Sequence, residues 1–432
     1  MKPLKKLLRE NAKVLVIFGL LVGLFVVTSI LQPAFRDAAN LTNTMRWIGL
    51  YGIISIGVAF IIITGGIDLS IGSLIALSGV MLPMLLKGKT VVTLFGIEFF
   101  KNPLPVWGAF GIVLAVSLLI GLFHGILVTK LGLQPFLVTL CGLFIYRGLA
   151  RGVGNDQTQG FGGEFGWLKD AFVKARLADV TFLSVVAFIA IGLLVAVFLY
   201  YSVLSRLASE PTNSGTSGSV GVKKLPRLVV WLIAGMGGLL VVLLARAKIL
   251  GFFSLVPMSF VVLIILGITA AIVLNKTVFG RYLLAIGHNE EAAKFSGIKT
   301  DRVKIAAYMI CSLLGGFAGM LFVLDTNGAT PSSFGNFYEL YAIAGAVLGG
   351  CSLRGGEGAI FGVICGAALV QVAEKAVFFL GVEEKSKFTV IGIFILVGVI
   401  ADELFRRWTE KQMGGAGGGS SGEKEIEIPR PS

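Results

Sequence analysis

The 432-residue chain is 56% hydrophobic and only 14% charged. This apolar fraction exceeds what a soluble core of this size can bury, so the sequence predicts an all-α protein that crosses a membrane many times. A net charge of +13 would suggest nucleic acid in a soluble protein, but here the basic residues lie between apolar runs, where membrane topology explains them. We therefore expect no nucleic-acid partner, and the four cysteines and two histidines form no pattern typical of a metal site.

Apolar stretches recur along the chain at close to the roughly 20 residues that a spanning helix needs. About twelve can be counted: 14–31, 47–64, 70–86, 106–129, 135–150, 181–204, 228–247, 252–274, 305–324, 339–350, 358–381 and 388–405. The tenth stretch is too short to span by itself, so we expect about 10 to 12 transmembrane helices within residues 1–408. Lys and Arg precede the first stretch and follow the last, which predicts that both termini are cytoplasmic.

Two regions between and after these stretches are predicted to lack fixed structure. Residues 205–227 place Lys and Arg around a centre rich in Ser, Gly and Thr, a composition typical of a flexible linker. Residues 409–432 contain the run GGAGGGSSG, which is followed by alternating acids. We expect this tail to be disordered and cytoplasmic.

Within the apolar stretches, small residues stand four apart, a spacing that suits close helix packing. The pairs are Gly121 with Gly125, Gly315 with Gly319, Gly345 with Gly349, and Gly362 with Gly366. The sequence leaves open whether they pack within one subunit or between two.

Paired glycines interrupt two apolar segments that resemble each other, ITGGIDLSIGSLIALSG at 63–79 and VLGGCSLRGGEGAIFGVICG at 347–366. In both, one residue, a short polar residue and Leu follow Gly-Gly at the same spacing. Broken helices at membrane depth persist only where protein covers them or where they line a cavity, and repeated breaks point to a translocation path. The predicted path residues are Gly65, Gly66, Asp68 and Ser70 in the first break and Gly349, Gly350, Ser352 and Arg354 in the second.

Asp68 has three possible roles in this scheme. A carboxylate at bilayer depth costs about 2.5–3.5 kcal/mol on insertion scales, so it needs a partner or water. It could cap the helix that begins near Ser70, pair with Arg354 across the repeat, or contact a substrate directly. Arg354 could instead extend its charged end to a membrane face.

One charged segment, residues 275–304, stands between two long apolar stretches. Within it Asn289 can cap a helix, Glu290 and Glu291 fall in the first turn, where the helix dipole favours anions, and Gly297 can end it. Basic residues crowd both sides, which predicts that the segment is cytoplasmic. A cytoplasmic partner can grip such a helix, although a solvated loop with good helix propensity is the alternative.

The chain resembles the membrane subunits of monosaccharide ABC permeases of the ribose, xylose and galactose type. The resemblance covers about residues 40–405 and rests on four motifs in order: GGIDLSIGSL, QPFLVTLCGLFIYRGLARG, GRYLLAIGHNEEAAKFSGIKTDRVK and LGGCSLRGG. The third contains what resembles an EAA-type coupling loop, the part of an ABC importer permease that docks on the ATPase subunit. By this resemblance the coupling residues are Asn289, Glu290, Glu291, Ala292, Ala293 and Gly297. The last motif departs from the family's usual GGTSLxGG at Cys351 and Arg354.

This resemblance implies an ABC importer permease fold in the bacterial inner membrane and import of a monosaccharide driven by ATP hydrolysis on a separate subunit. No cofactor is expected on this chain, because ATP and magnesium would bind that ATPase subunit. The other implied partners are a second permease copy, as a homodimer, and a periplasmic sugar-binding protein. In this topology the segments 151–180 and 325–338 lie on the outside face and would meet the binding protein, although an ordinary surface loop is the alternative for both.

Two other functions remain open from the residues alone. A secondary transporter could move protons or sodium through Asp68, Glu374 or another intramembrane acid. A branched-chain amino-acid ABC permease would share a similar coupling loop but is expected to lack the GGIDLSIGS block. An enzyme is not expected, because no nucleophile, base and orienting group appear together, and the sequence near Gly88-Lys89-Thr90 has Pro83 where a phosphate loop needs its first glycine.

Overall fold

The computed structural model describes residues 12–88, 92–94, 97–99, 102–163, 165–169 and 256–381, and isolated positions between 389 and 400. Twelve α-helices lie within these residues: α1 (Ala12–Leu31), α2 (Ala38–Ile63), α3 (Ile71–Lys87), α4 (Val106–Lys130), α5 (Pro135–Gly154), α6 (Gly166–Lys169), α7 (Met258–Lys276), α8 (Val278–His288), α9 (Glu290–Phe295), α10 (Thr300–Thr326), α11 (Tyr338–Leu348) and α12 (Ile360–Phe379). A short 3-10 helix, Pro33–Arg36, joins α1 to α2.

Four short strands complete the described part of the chain. Strands β1 (Val92–Leu94) and β2 (Ile97–Phe99) form an antiparallel hairpin. Strands β3 (Gln159–Gly160) and β4 (Gly328–Ala329) also pair antiparallel, although residues 161–327 separate them along the chain. The β3–β4 pair therefore holds the segment after α5 against the segment after α10.

The prediction of an all-α, multi-pass membrane protein is confirmed. Six of the described helices are long and apolar enough to cross a membrane, namely α2, α4, α5, α7, α10 and α12, and shorter apolar helices occupy 16–31, 71–87 and 338–348. These nine coincide with nine of the predicted stretches, and α11 is short, as expected. The stretches 181–204 and 228–247, most of 388–405, the linker 205–227 and the tail 409–432 lie outside the described residues.

Helix α2 is the centre of the described bundle. In its most apolar 18-residue window 89% of the residues are buried, against 33% in α4 and 28% in α5. The helices α7, α10, α11 and α12 pack around α2. Helix α2 is therefore a core helix that other helices cover on all sides. Helices α4 and α5 instead leave wide apolar faces uncovered in the single chain.

The small residues predicted to allow close packing make their contacts within this chain. A Cβ atom at Gly121 of α4 would lie only 2.6 Å from the Tyr308 carbonyl oxygen of α10, and one at Gly125 would lie 2.7 Å from the Ile305 Cα. Glycines of α10 face α3 in the same way, and glycines of α11 face α12. The backbones at these crossings approach too closely for any side chain.

We expect Gly121→Ala to destabilise the protein, because its new methyl group must push α4 away from α10. Overpacking of a tight contact typically costs about 1–3 kcal/mol, so the thermal midpoint in lipid nanodiscs should fall. Gly111 lies in the same helix, and a Cβ atom there would have nothing within 4 Å, which makes Gly111→Ala the matched control with an unchanged or slightly higher midpoint. Equal midpoints for both variants would contradict the packing assignment.

Candidate functional site

Helix α9 is a short element whose ends are fixed by its own sequence. The Asn289 side chain accepts a hydrogen bond from the Ala292 amide at 3.0 Å, so Asn289 caps the helix as predicted. Gly297 follows the last turn at a φ of +80°, a conformation that glycine adopts without strain and that commonly ends a helix. Within the six-residue helix Ala293 is buried, whereas Glu291 and Ala292 are exposed. The helix is thus a fixed element at the surface, and its docking role remains a prediction.

Glu290 ties α9 to the long helix α10. Its Oε2 accepts a hydrogen bond from the Lys304 Nζ at 2.5 Å, and its Oε1 lies 3.1 Å from the Lys294 Nζ. Partial burial alone would raise the pKa of Glu290, but hydrogen bonds from both lysines outweigh this and hold the pKa below its ordinary value. The carboxylate is therefore charged at neutral pH, and its first role is to anchor α9.

The charged segment meets both glycine breaks at one point. The Gly356 amide donates to the Ile63 carbonyl at 2.9 Å, and a Cβ atom at Gly287 would lie 2.0 Å from that carbonyl and 2.1 Å from that amide. A Cβ at Gly355 would likewise lie 2.9 Å from the Gly287 carbonyl and from the Gly65 amide. We call these five residues, Ile63, Gly65, Gly287, Gly355 and Gly356, the glycine junction.

The glycine junction requires glycine for two separate reasons. Gly287 has ordinary helical backbone, so only the lack of space around its Cα excludes a side chain. Gly65, Gly355 and Gly356 have φ values of +81°, +86° and +81°, where side chains are strained. The result is direct backbone contact between the segment that carries α9 and the two breaks.

The first break is a turn between α2 and α3 that Asp68 braces. The Asp68 side chain is fully buried, and its Oδ1 accepts hydrogen bonds from the Ser70 amide at 2.8 Å and the Ser70 hydroxyl at 2.6 Å. The Cys311 thiol, near the middle of α10, lies 3.8 Å from Oδ2. Ser70 itself is the N-cap of α3, so Asp68 supports the entry to the helix rather than capping its first turn.

Of the three possible roles of Asp68, the structure does not form the pair with Arg354. Arg354 is exposed whereas Asp68 is fully buried, and no ion pair joins them within the described residues. The two breaks are indeed neighbours, but their contact is made by backbone atoms, since the Arg354 carbonyl oxygen lies 3.6 Å from a Cβ position at Gly65. Asp68 has no exposed surface through which a substrate could reach it in this conformation.

The second break is a tight turn with an exposed tip. After α11, Gly350 adopts a φ of +91°, and the Gly355 amide donates to the Ser352 carbonyl at 2.9 Å. Leu353 and Arg354 occupy the exposed tip of this turn. Gly349 instead packs against α12, where a Cβ would lie 2.5 Å from the Val363 Cα. The path residues of this break thus divide between a buried helix crossing and the exposed turn.

A buried polar group beside the breaks was not predicted as a unit. His124 of α4 and Tyr146 of α5 share a hydrogen bond of 2.8 Å between Nε2 and the phenol oxygen, and the His124 ring lies 6.3 Å from the Tyr308 ring. His124 thereby joins three helices, α4, α5 and α10. Gly66 approaches the same group, with the Tyr308 hydroxyl 3.1 Å from its Cβ position.

At the other end of the bundle, the structure joins the two segments predicted to meet a binding protein. The β3–β4 pair connects the described part of the first segment, residues 151–163 and 165–169, with the segment that begins at 325. The rest of the first segment, through residue 180, lies outside the described residues. The Thr158 and Thr330 hydroxyls lie 2.8 Å apart, and the Arg147 guanidinium donates to the Pro331 carbonyl at 3.0 Å. These contacts make one continuous surface from two distant parts of the chain.

Comparisons with known proteins agree with this architecture. Residues 40–399 match the family described as "branched-chain amino acid transport system / permease component". Because the match spans most of the chain, the chain belongs to this permease family. No solved structure gives a significant match.

Curated relatives align with this chain over about nine-tenths of its length. The ribose import permease protein RbsC of Bacillus subtilis (strain 168) is 28% identical over 388 residues, 89% of this chain and 92% of its own. The xylose transport system permease protein XylH of Escherichia coli (strain K12) is 27% identical over 405 residues, with coverages of 92% and 93%. RbsC of Escherichia coli (strain K12) is 29% identical over 382 residues, 88% of this chain and 91% of its own.

We expect Gly287→Ala to separate the charged segment from both breaks, because its methyl group would overlap Ile63 and Gly356. Amide hydrogen exchange should accelerate in residues 63–67 and 352–357, while the protein still inserts in the membrane. Gly152→Ala is the matched control, since nothing lies within 4 Å of its Cβ position. Unchanged exchange in the Gly287 variant would show that the contact is dispensable.

Asp68→Asn should preserve the turn, because the amide oxygen can still accept both hydrogen bonds from Ser70. Asp68→Ala removes this acceptor and leaves buried donors unpaired, which costs about 1–3 kcal/mol. The thermal midpoint should therefore fall for Ala and stay near the parent value for Asn. If the thermal midpoint of the Asn variant falls as far as that of the Ala variant, the negative charge of Asp68 is itself required.

Proposed function

We propose that this member of the permease family is the membrane-spanning subunit of a binding-protein-dependent ABC importer that moves a monosaccharide into the cytoplasm. The observation that carries the proposal is the glycine junction. Through its backbone contacts, a displacement of α9 is transmitted directly to both breaks, which are the candidate walls of the path. The chain acts as a translocation subunit, and ATP with magnesium binds a separate ATPase subunit.

The substrate class rests on the relatives. The family description names branched-chain amino acids, but the relatives above, which align along nearly their whole length, are named for ribose and xylose. The sequence GGIDLSIGS in the first break agrees with this sugar assignment, because amino-acid permeases are expected to lack it. A secondary transporter is less well supported, because the Asp68 carboxylate is enclosed and already bonded to Ser70.

The partners follow from the two ends of the molecule. Helix α9, with Asn289, Glu290, Glu291, Ala292, Ala293 and Gly297, is the coupling element that docks on the ATPase subunit. The surface joined by β3 and β4 receives the periplasmic sugar-binding protein. The wide apolar faces of α4 and α5 are available to lipid and to a second copy of the chain, in keeping with a homodimer.

The membrane orientation follows the basic residues. We place the protein in the bacterial inner membrane with both termini and the segment 275–304 in the cytoplasm. Lys130 at the end of α4 forms an ion pair with Asp301 in the first turn of α10 at 2.7 Å. Because Asp301 lies in the segment 275–304, this contact supports a cytoplasmic position for the connection between α4 and α5 as well.

The test of this function is reconstitution in lipid with the ATPase subunit and a panel of substrate-binding proteins. We expect one sugar-loaded binding protein to stimulate ATP hydrolysis and sugar uptake together. Uptake by the chain alone without any ATPase would contradict the proposal. Stimulation only by a loaded amino-acid-binding protein would overturn the assignment of the substrate class.

In the same assay, Glu290→Lys combined with Glu291→Lys should abolish sugar-stimulated ATP hydrolysis. The new ammonium at position 290 would face Lys294 and Lys304, so α9 would lose its anchor on α10. Glu290→Gln with Glu291→Gln is the matched control that removes charge without repulsion, and we expect an intermediate activity. Full stimulation in the lysine variant would contradict the coupling role of α9.

A further inference from the structure

One large apolar side chain is exposed on the coupling element. Phe295, the last residue of α9, is 92% exposed, the highest value among the large hydrophobic residues that the structure describes. Other highly exposed examples, such as Phe144 at 69%, lie on apolar helices that face lipid. Phe295 instead lies in the charged segment 275–304. An exposed aromatic ring in such a segment is suited to fill a pocket on a partner.

The structure holds Phe295 in a fixed position. Asn289 and Gly297 fix the two ends of α9, Ala293 is buried against the bundle, and Glu290 joins α9 to Lys304 of α10. Because the backbone of α9 is already ordered, only the two side-chain torsions of Phe295 lose freedom when the ring binds. The ring can therefore contribute most of its burial free energy to an interface.

A second exposed apolar residue is carried by the neighbouring element. Leu353, which is 48% exposed, stands at the tip of the second break, and Gly355 and Gly356 of that turn lie in the glycine junction. A Cβ atom at Gly356 would lie 2.6 Å from the His288 Nδ1, immediately before α9. The turn and α9 are thus adjacent, and both present an apolar side chain.

Exposed basic residues occur in the same two segments as Phe295 and Leu353. They are Lys294, Lys299, Arg302 and Arg354. A complementary partner would offer an apolar pocket with an acidic rim, because matched charges steer and orient an encounter. The continuity of this surface with α9, the proposed docking element, identifies the ATPase subunit as the occupant.

We propose that Phe295 is the apolar anchor of the contact with the ATPase subunit and that Leu353 forms an adjoining contact. This inference rests on the proposed function and extends it to a part of the second break. Leu353 and Arg354 then belong to the docking surface, so the ATPase subunit touches one of the breaks directly as well as through α9.

The experiment measures the Kd of the purified ATPase subunit for the full chain in nanodiscs at a fixed salt concentration. Hot-spot residues typically account for at least a tenfold change in Kd, so we expect at least a tenfold increase for Phe295→Ala and a smaller increase for Leu353→Ala. Phe295→Leu should retain affinity within about threefold, because it keeps an apolar side chain. Leu131→Ala is the matched control. Leu131 is 64% exposed and follows Lys130 on the same proposed side, and its variant should bind as the parent does.

The outcomes separate this inference from the proposed function. If the parent chain does not bind the ATPase subunit, the proposed function fails. If the parent binds and Phe295→Ala binds equally well, the inference alone is wrong. A photoreactive benzoylphenylalanine at position 295 should cross-link to the ATPase subunit, whereas cross-linking only to lipid or to a second copy of the chain would overturn the inference.

Discussion

The close approach of three backbone segments at the glycine junction is the constraint on which the rest of the structure depends. Ile63, Gly287 and Gly356 meet without any side chain between them. Protein interiors are close-packed. When one of these segments moves, the other two must therefore move with it, or the contact between them must open. The position of α9 is therefore linked to the positions of both breaks. This link is the structural basis of the mechanical role that we propose for the polar segment.

The helices that continue from the two breaks are closely packed, so a movement at the glycine junction would also move these helices. The first break continues into α3 through the turn that Asp68 braces, and α3 packs closely on the glycine face of α10. The second break lies between α11 and α12, which cross at Gly349. Each break is thus attached to a tightly packed helix, and the buried helix α2 is the common centre.

The sequence predicts those features that depend on residues close together along the chain. Asn289 and Gly297 mark the ends of α9 through their own backbone preferences, and apolar length predicts the spanning helices. Contacts between distant segments were harder to predict. The similarity of the two breaks left a pair between Asp68 and Arg354 open as one of three roles for Asp68, whereas the two turns lie side by side and make contact through backbone atoms. In the same way, the Glu290 bond to Lys304 and the exposure of Phe295 depend on how α9 lies on α10, which no local signal encodes.

In the function that we propose for this permease, one close backbone contact joins α9, the proposed docking element, to the candidate path. The most direct measurement is a pair of structures of the reconstituted transporter, with and without bound nucleotide. We predict that the Gly356 amide stays bonded to the Ile63 carbonyl beside Gly287 in both, and that α9 and the two breaks shift together. Separation of Gly287 from Ile63 and Gly356 in either structure, with unmoved breaks, would contradict this coupling.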